Sequence, residues 1–276
     1  MNWIVAKKNL SENIVKLEIQ ASEIAMVRKP GHHVIVKIDK MSEPFPMVIS
    51  QVNKNKGTIT LFVHKMGVIH QRLSTLVVGD ELFEVSGPYG YAIKIDKVGT
   101  VVCAAGGVGI APLYPVVEAL KEAGNKVITV LAARSSDLLI LEDEIRRVSD
   151  EVVIMTDDGS RGKKGLVTDG MQAIFNREKV VQVVTFGSAR MIKHTTLLTH
   201  MYNIPLTATL YSMKVDNAGI NGIYRVSVCG NSKYICVDGI DFNAFYPDFD
   251  TMIKRMESRL SKESVGNQNY SLHQVI

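Results

Sequence analysis

Hydrophobic and polar positions change rhythm twice along this chain. From residue 1 to about 97, short runs rich in Val, Ile, Leu and Phe recur at Trp3–Asn9, Ile14–Ile19, His33–Ile38, Phe45–Val52, Thr58–Val63 and Glu81–Ser86. Turn chemistry separates several of them: Lys29-Pro30-Gly31, the stretch from Asn53 to Gly57, and Val78-Gly79-Asp80. Six strands at this spacing predict a small antiparallel barrel, with a helical turn over Val68–Leu76 before the last strand. From 98 to about 205 the rhythm becomes strand, helix, strand. Lys126–Ala132, Glu151–Met155 and Val180–Phe186 read as strands; Leu138–Val148, Leu166–Phe175 and Ala189 to about Met201 read as helices. That alternation predicts a parallel, doubly wound sheet. From Leu206 to about Asp250, short β-like pieces at Thr207–Met213, Arg225–Cys229 and Lys233–Val237 sit among Gly, Asn and Asp turns. Some forty residues of this kind bury little surface alone. An amphipathic helix from Thr251 to about Leu260 and a polar tail end the chain. The expected domains are therefore 1–97, 98–205, 206–250 and 251–276.

The stretch from Val101 to Pro115 organises the middle region. An apolar run enters a glycine cluster, Gly106-Gly107-Val108-Gly109, and a helix leaves it with Pro112 in its first turn, where a missing N–H costs little. Glycines at such a turn let main-chain N–H groups approach an anion, and the helix N-terminus adds partial positive charge. Diphosphate is the anion this arrangement suits. The loop Thr156-Asp157-Asp158-Gly159-Ser160 falls at the C-terminal end of a later strand, where ligands of such sheets bind, and Gly187-Ser188 opens a second helix at the same edge.

Composition narrows the remaining possibilities. With 276 residues, 46% hydrophobic and 22% charged, the chain can bury a sizeable core. A net charge of +4, dispersed along the sequence, argues against nucleic acid. Val98 to Val117 is an uncharged run long enough to cross a membrane, but its four glycines and two prolines fit strand, turn and helix instead. Three cysteines and no basic-then-apolar leader in Met1-Asn2-Trp3-Ile4 point to a reducing, cytoplasmic setting. His32 and His33, adjacent on one strand, face opposite ways and make a poor metal site.

The order and spacing of Gly87-Pro88-Tyr89-Gly90, Gly106-Gly107-Val108-Gly109-Ile110-Ala111-Pro112, Ala132-Ala133-Arg134, Thr156–Ser160 with Gly165, and Cys236-Val237-Asp238-Gly239 resemble the ferredoxin-reductase superfamily. The nearest look is to the branch of the dihydroorotate dehydrogenase electron-transfer subunit and the small subunits of NADH-dependent ferredoxin:NADP oxidoreductase and sulfide dehydrogenase. The resemblance covers residues 1 to about 255. It implies an FAD-type barrel, a nucleotide-binding α/β domain and a small C-terminal segment. It also implies hydride transfer from NAD(P)H to FAD, and single electrons passed through a [2Fe-2S] cluster to a larger partner subunit.

Residue by residue, the resemblance assigns the nicotinamide cofactor to Gly106, Gly107, Val108, Gly109, Pro112, Asp157 and Gly159. Arg134 stands where it could pair with a ribose 2′-phosphate or lie bare on the surface, which leaves NAD and NADP both open. The flavin site is assigned to Phe45, Pro46, Met47, Val48, Gly67, His70, Gly87, Pro88 and Gly90, but with departures. Pro44 stands at the place of the family's arginine, and Val48 at that of its hydroxyl residue. Losing a charged donor to a phosphate costs about 1.5–3 kcal/mol, so FAD is expected to bind loosely. The cluster pattern aligns with Asp216, Asn221, Tyr224 and Cys236; a neutral amide and a phenol replace two thiolates, so a [2Fe-2S] cluster is not expected. The functional expectation is an electron-transfer flavoprotein subunit. The alternative is a redox-inactive paralogue that serves as a structural or nucleotide-sensing subunit.

Overall fold

The computed structural model describes residues 2–65, 68–90, 92–210, 225–228, 231–234, 240–241, 249–250 and 253–254. The N-terminal part comprises β1 (Asn2–Asn9), β2 (Ile14–Gln20), α1 (Ser22–Val27), β3 (His33–Lys37), β4 (Phe45–Val48), β5 (Gln51–Asn53), β6 (Thr58–His64), α2 (Val68–Thr75), β7 (Glu81–Leu82) and β8 (Glu84–Tyr89). They build two antiparallel sheets, ordered β5-β6-β2-β1-β7 and β4-β3-β8. Alternating residues such as Leu17, Ile19, Val34, Val36, Ile59 and Leu61 meet in one core between them.

Two runs read as single strands are each split where the chain passes from one sheet to the other. In Phe45–Val52 the break falls at Ile49 and Ser50. The Ile49 N–H donates to the His32 carbonyl at 3.2 Å, while the next N–H, of Ser50, donates to Thr60 of the other sheet at 3.0 Å. Phe83 makes the same corner between β7 and β8, its N–H donating to Ile38. These corners, rather than one continuous ladder, wrap the sheets around their core. The helix α1 had no signal in the sequence, being six residues long with only Ile24 and Ala25 buried.

The second part runs β9 (Thr100–Gly106), a 3-10 turn over Gly107–Gly109, α3 (Ile110–Glu122), β10 (Lys126–Ala133), α4 (Glu142–Val148), β11 (Glu151–Thr156), β12 (Lys163–Lys164), α5 (Val167–Phe175), β13 (Gln182–Gly187), α6 (Ala189–Met201) and β14 (Leu206–Leu210). Beyond it lie β15 (Arg225–Val228), β16 (Asn231–Tyr234) and β17 (Ile240–Asp241). The sheet order is β12-β11-β10-β9-β13-β14-β17, parallel except for the last pair. Small residues in β9, Ala104 and Ala105, let helices close over both faces; Val102 and Ala104 belong to one core and Cys103 and Ala105 to the other. The barrel contributes Ile14 and Phe62 to the second of these cores.

The helix expected over Leu138–Val148 starts only at Glu142. Ser136–Leu138 form a 3-10 turn, and Leu141 takes a left-handed φ of 57° that ends any helix before it. Three acidic residues then open α4, and Arg146 and Arg147 close it, as the helix dipole favours. The C-terminal helix expected from Thr251 is already helical at Phe249 and Asp250; Phe249 and Ile253 are buried against α6 and its neighbours. The tail lies outside the described residues.

Candidate functional site

Strand order reverses between β9 and β13, and a doubly wound sheet opens its ligand crevice at that reversal, beyond the strands' C-terminal ends. The glycine turn sits there, and its three glycines do three different things. Gly107 has φ +54°, and apart from its own adjoining main chain no atom lies within 4 Å of where a Cβ would stand. That open space, in the turn immediately before α3, fits the close approach of a diphosphate. Gly109 is closed: an added Cβ would come 2.7 Å from the main-chain oxygen of Phe186 in β13. It serves the packing of turn against strand. Gly106 lies under Met191, whose sulfur would be 2.9 Å from an added Cβ and also covers Gly187. Val108 and Pro112 are buried beneath the turn. The Ser188 hydroxyl caps α6 by accepting from Met191 N–H at 3.3 Å. The Gly187–Met191 segment thus joins the site; its sequence signal was the serine at a strand-to-helix boundary, and Met191 had none.

Two neighbouring loops extend the same edge. The N–H groups of Asp157 and Asp158 donate to the carbonyls of Ala133 and Arg134, each at 3.1 Å, and Ser136 N–H donates to Ser160 Oγ at 2.8 Å. The loop after β11 is thereby zipped to the loop after β10. Asp158 accepts from both N–H and hydroxyl of Ser160, which hold its carboxyl below the usual range. Asp157 and Gly159 are exposed, Gly159 at φ +80°. Arg134 is exposed and close enough to His64, at the end of β6, to lower that imidazole's pKa; burial of His64 is the larger cause. Arg134 therefore stands at the seam between barrel and nucleotide domain.

On the flavin side, alternation along β4 decides what each residue offers. Phe45 and Met47 turn into the barrel core at 4% and 6% exposure, while Pro46 and Val48 are half-buried on the other face, with Pro44 before them. The side chains of Phe45 and Met47 pack in the barrel core, so a contact of these two residues with a cofactor would run through their main chain. The face that remains is apolar and suits a flat ring, but no side chain of β4 donates to a phosphate. His70 packs edge-on against Phe45, ring centroids 5.4 Å apart, in the first turn of α2. Gly87 and Pro88 lie at the end of β8 and Gly90 just beyond it, with Gly87 at φ +143° and Gly90 at φ +86°. There the close neighbour is the protein: an added Cβ on Gly87 would meet the His33 carbonyl at 3.1 Å, and one on Gly90 would meet the His33 ring at 2.9 Å. These glycines make room for His33.

Behind β4, Arg28 crosses to the corner, its guanidinium donating to the carbonyls of Ile49 and Ser50 at 2.8 and 2.9 Å. Burial lowers its pKa to about 10, against the opposing pull of Glu118 in α3. Gly67, Asp216, Asn221, Tyr224, Cys229 and Cys236 lie outside the described residues. Cys103 is buried in β9, and burial pushes its thiol pKa up. Among the described residues no group of three or more His, Cys, Asp or Glu is placed to hold a metal, and no helix is long and apolar enough to cross a membrane.

Two cornered antiparallel sheets, joined to a parallel sheet with an open glycine turn at its reversal point, define a ferredoxin-reductase-like, nucleotide-binding oxidoreductase fold. The family model described as the oxidoreductase NAD-binding domain matches residues 104–196. A Thermotoga maritima protein, the electron transfer subunit homolog of dihydroorotate dehydrogenase B (NAD(+)), is 35% identical over 270 residues, which is 98% of this chain and 95% of that one. A chain from the structure of NADH-dependent reduced ferredoxin-NADP oxidoreductase, solved for insight into flavin-based electron bifurcation, superposes with TM-score 0.87 at 34% identity, covering 96% of each. A flavohemoglobin from Malassezia yamatoensis with bound FAD and heme, at TM-score 0.61 and 14% identity, shares the fold. The chain belongs to the family of dihydroorotate dehydrogenase B electron transfer subunits and their homologues.

Proposed function

We propose that this chain is the electron-transfer flavoprotein subunit of an NAD(P)H-dependent oxidoreductase, passing electrons from the nicotinamide through FAD to a larger partner subunit. The observation that carries this reading is the open space over Gly107, in the turn just before α3, at the sheet's reversal point. Main-chain N–H groups of the turn hold the diphosphate of NAD(P)H, and the loops of Arg134 and of Asp157 to Gly159 border the rest of the cofactor. The apolar face of Pro46 and Val48 receives the flavin ring, while the first turn of α2, with Gly67 before it and His70 within it, offers N–H donors to the flavin phosphates. FAD, when bound, supplies a two-electron acceptor able to release its electrons singly. The chain's own task is to hold the two ring systems together and exclude water. NAD(H) is the nucleotide favoured, because the names of the relatives specify NAD(+) or NADH. A cytoplasmic setting accords with the buried free thiol of Cys103.

The experiment is an anaerobic titration of the FAD-reconstituted protein with NADH and with NADPH, followed by flavin absorbance. Bleaching with one equivalent is expected; a flavin left oxidised by both would overturn the reading. A second reading, a nucleotide-sensing subunit without turnover, is favoured by Val48, which offers the flavin edge no hydroxyl. It predicts nucleotide binding by calorimetry without any bleaching.

A further inference from the structure

The helix that carries the glycine turn contains a proline at its sixth residue, Pro115. In an α-helix each carbonyl accepts from the N–H four residues on, and proline has none, so the Ala111 carbonyl loses its helical donor. Ala111 is buried at 2% exposure, where an unsatisfied carbonyl is costly. Its donor comes from the other domain: the Ser50 hydroxyl donates to the Ala111 carbonyl at 2.5 Å, with Ser50 itself 1% exposed. Ser50 is not a loose surface residue reaching across. It is the corner at which the chain leaves β4 for the other sheet, and the Arg28 guanidinium holds its carbonyl and that of Ile49 from behind.

We propose that Ser50 is a positioning residue, whose hydroxyl fixes the barrel strand bearing Pro46 and Val48 to the helix that carries the nucleotide turn. Resting on the function proposed above, this contact sets the distance between flavin edge and nicotinamide. One end of the link lies two residues beyond Val48, and the other lies four residues beyond Gly107. Pro115 makes it selective, since a helix with an N–H at that place would satisfy Ala111 internally. Arg28 stiffens it, because its two bonds hold the main chain that carries the Ser50 hydroxyl.

The test compares wild type with Ser50→Ala and Ser50→Thr, each as the full chain reconstituted with FAD. Amide hydrogen exchange, read on peptides covering 46–52 and 107–118, should quicken in both peptides together in Ser50→Ala and return toward wild type in Ser50→Thr. FAD content and NADH affinity should stay within about twofold of wild type, while the stopped-flow rate of flavin reduction falls about tenfold or more, the scale expected for a small misplacement of reacting groups. Unchanged exchange in 107–118, or a reduction rate within twofold of wild type in Ser50→Ala, would overturn the assignment. A wild-type flavin that NADH does not bleach would instead defeat the proposed function, and the exchange comparison would still decide whether Ser50 ties the domains.

Discussion

Replacing Gly107 by valine separates the site's two kinds of glycine. Gly107 sits at φ +54° with open space in place of a side chain. A non-glycine residue in that left-handed conformation costs about 1–2 kcal/mol, well inside the 5–15 kcal/mol that keeps an ordinary domain folded. The valine methyls would then occupy the space left for the diphosphate and push it off the main-chain donors. Each charge-assisted hydrogen bond lost is worth about 1.5–3 kcal/mol. Losing one or two weakens NADH binding by about ten- to ten-thousand-fold. Gly109→Ala is the matched control, since its Cβ would press on the fixed Phe186 carbonyl at 2.7 Å rather than on a ligand. Overpacking of that kind costs about 1–3 kcal/mol of stability. Calorimetric titration with NADH alongside thermal melting should show binding lost with a modest melting shift in Gly107→Val, and the melting shift dominating in Gly109→Ala. Equal affinity in wild type and Gly107→Val would refute the placement of the nucleotide.

Three further outcomes are expected. Iron and acid-labile sulfide assays after anaerobic purification should find no stoichiometric cluster, because Asn221 and Tyr224 stand at ligand positions; about two irons per chain would contradict this. FAD titrated into apo-protein should bind loosely, and Pro44→Arg with Val48→Thr should tighten it about tenfold to a hundredfold by restoring a cation and a hydroxyl; no binding by either form would make the barrel a scaffold. Burial lowers the pKa values of His33 and His64 below 6.5, so below that pH the unfolded chain binds more protons than the folded one. The histidine contribution to stability is therefore complete above about pH 6.5 and is lost as pH falls toward the depressed folded values. Melting temperatures measured from pH 8 down to 5.5 should show this loss, and an unchanged slope in a His33→Gln, His64→Gln variant would count against it.

The fold was legible wherever local rhythm and tertiary packing agree. The strands of the parallel sheet follow from apolar runs, β9 and β13 each ending on a glycine, and Ser188 marks the start of the helix Ala189–Met201. The barrel's corners did not, because Ser50 and Gln51 are the sole polar residues within Phe45–Val52, and with no Gly, Asn or Asp turn around them they do not mark where the N–H groups change partner sheet. The start of α4 was missed for a related reason. Leu138–Leu141 look helical in composition, but Leu141 adopts a positive φ that no propensity scale assigns to leucine.

The candidate site was legible in its main-chain parts and opaque in its long-range ones. A glycine turn between strand and helix announces a phosphate cradle, yet three glycines in a row of four look alike in sequence. Only the structure divides them into one that leaves room and two that are packed against Met191 or Phe186. On β4, alternation alone would have placed Phe45 and Met47 on the face opposite Pro46 and Val48; knowing which face is core required the partner sheet. Pro115 carries the same lesson in a sharper form. A proline inside a helix declares, from sequence alone, that the carbonyl four residues earlier needs another donor. That donor, Ser50, lies 61 residues away at a corner no local pattern reveals. Where a local rule is broken and the repair comes from another domain, the break couples the two domains, and here the coupled elements are those proposed above to present the flavin and the nicotinamide.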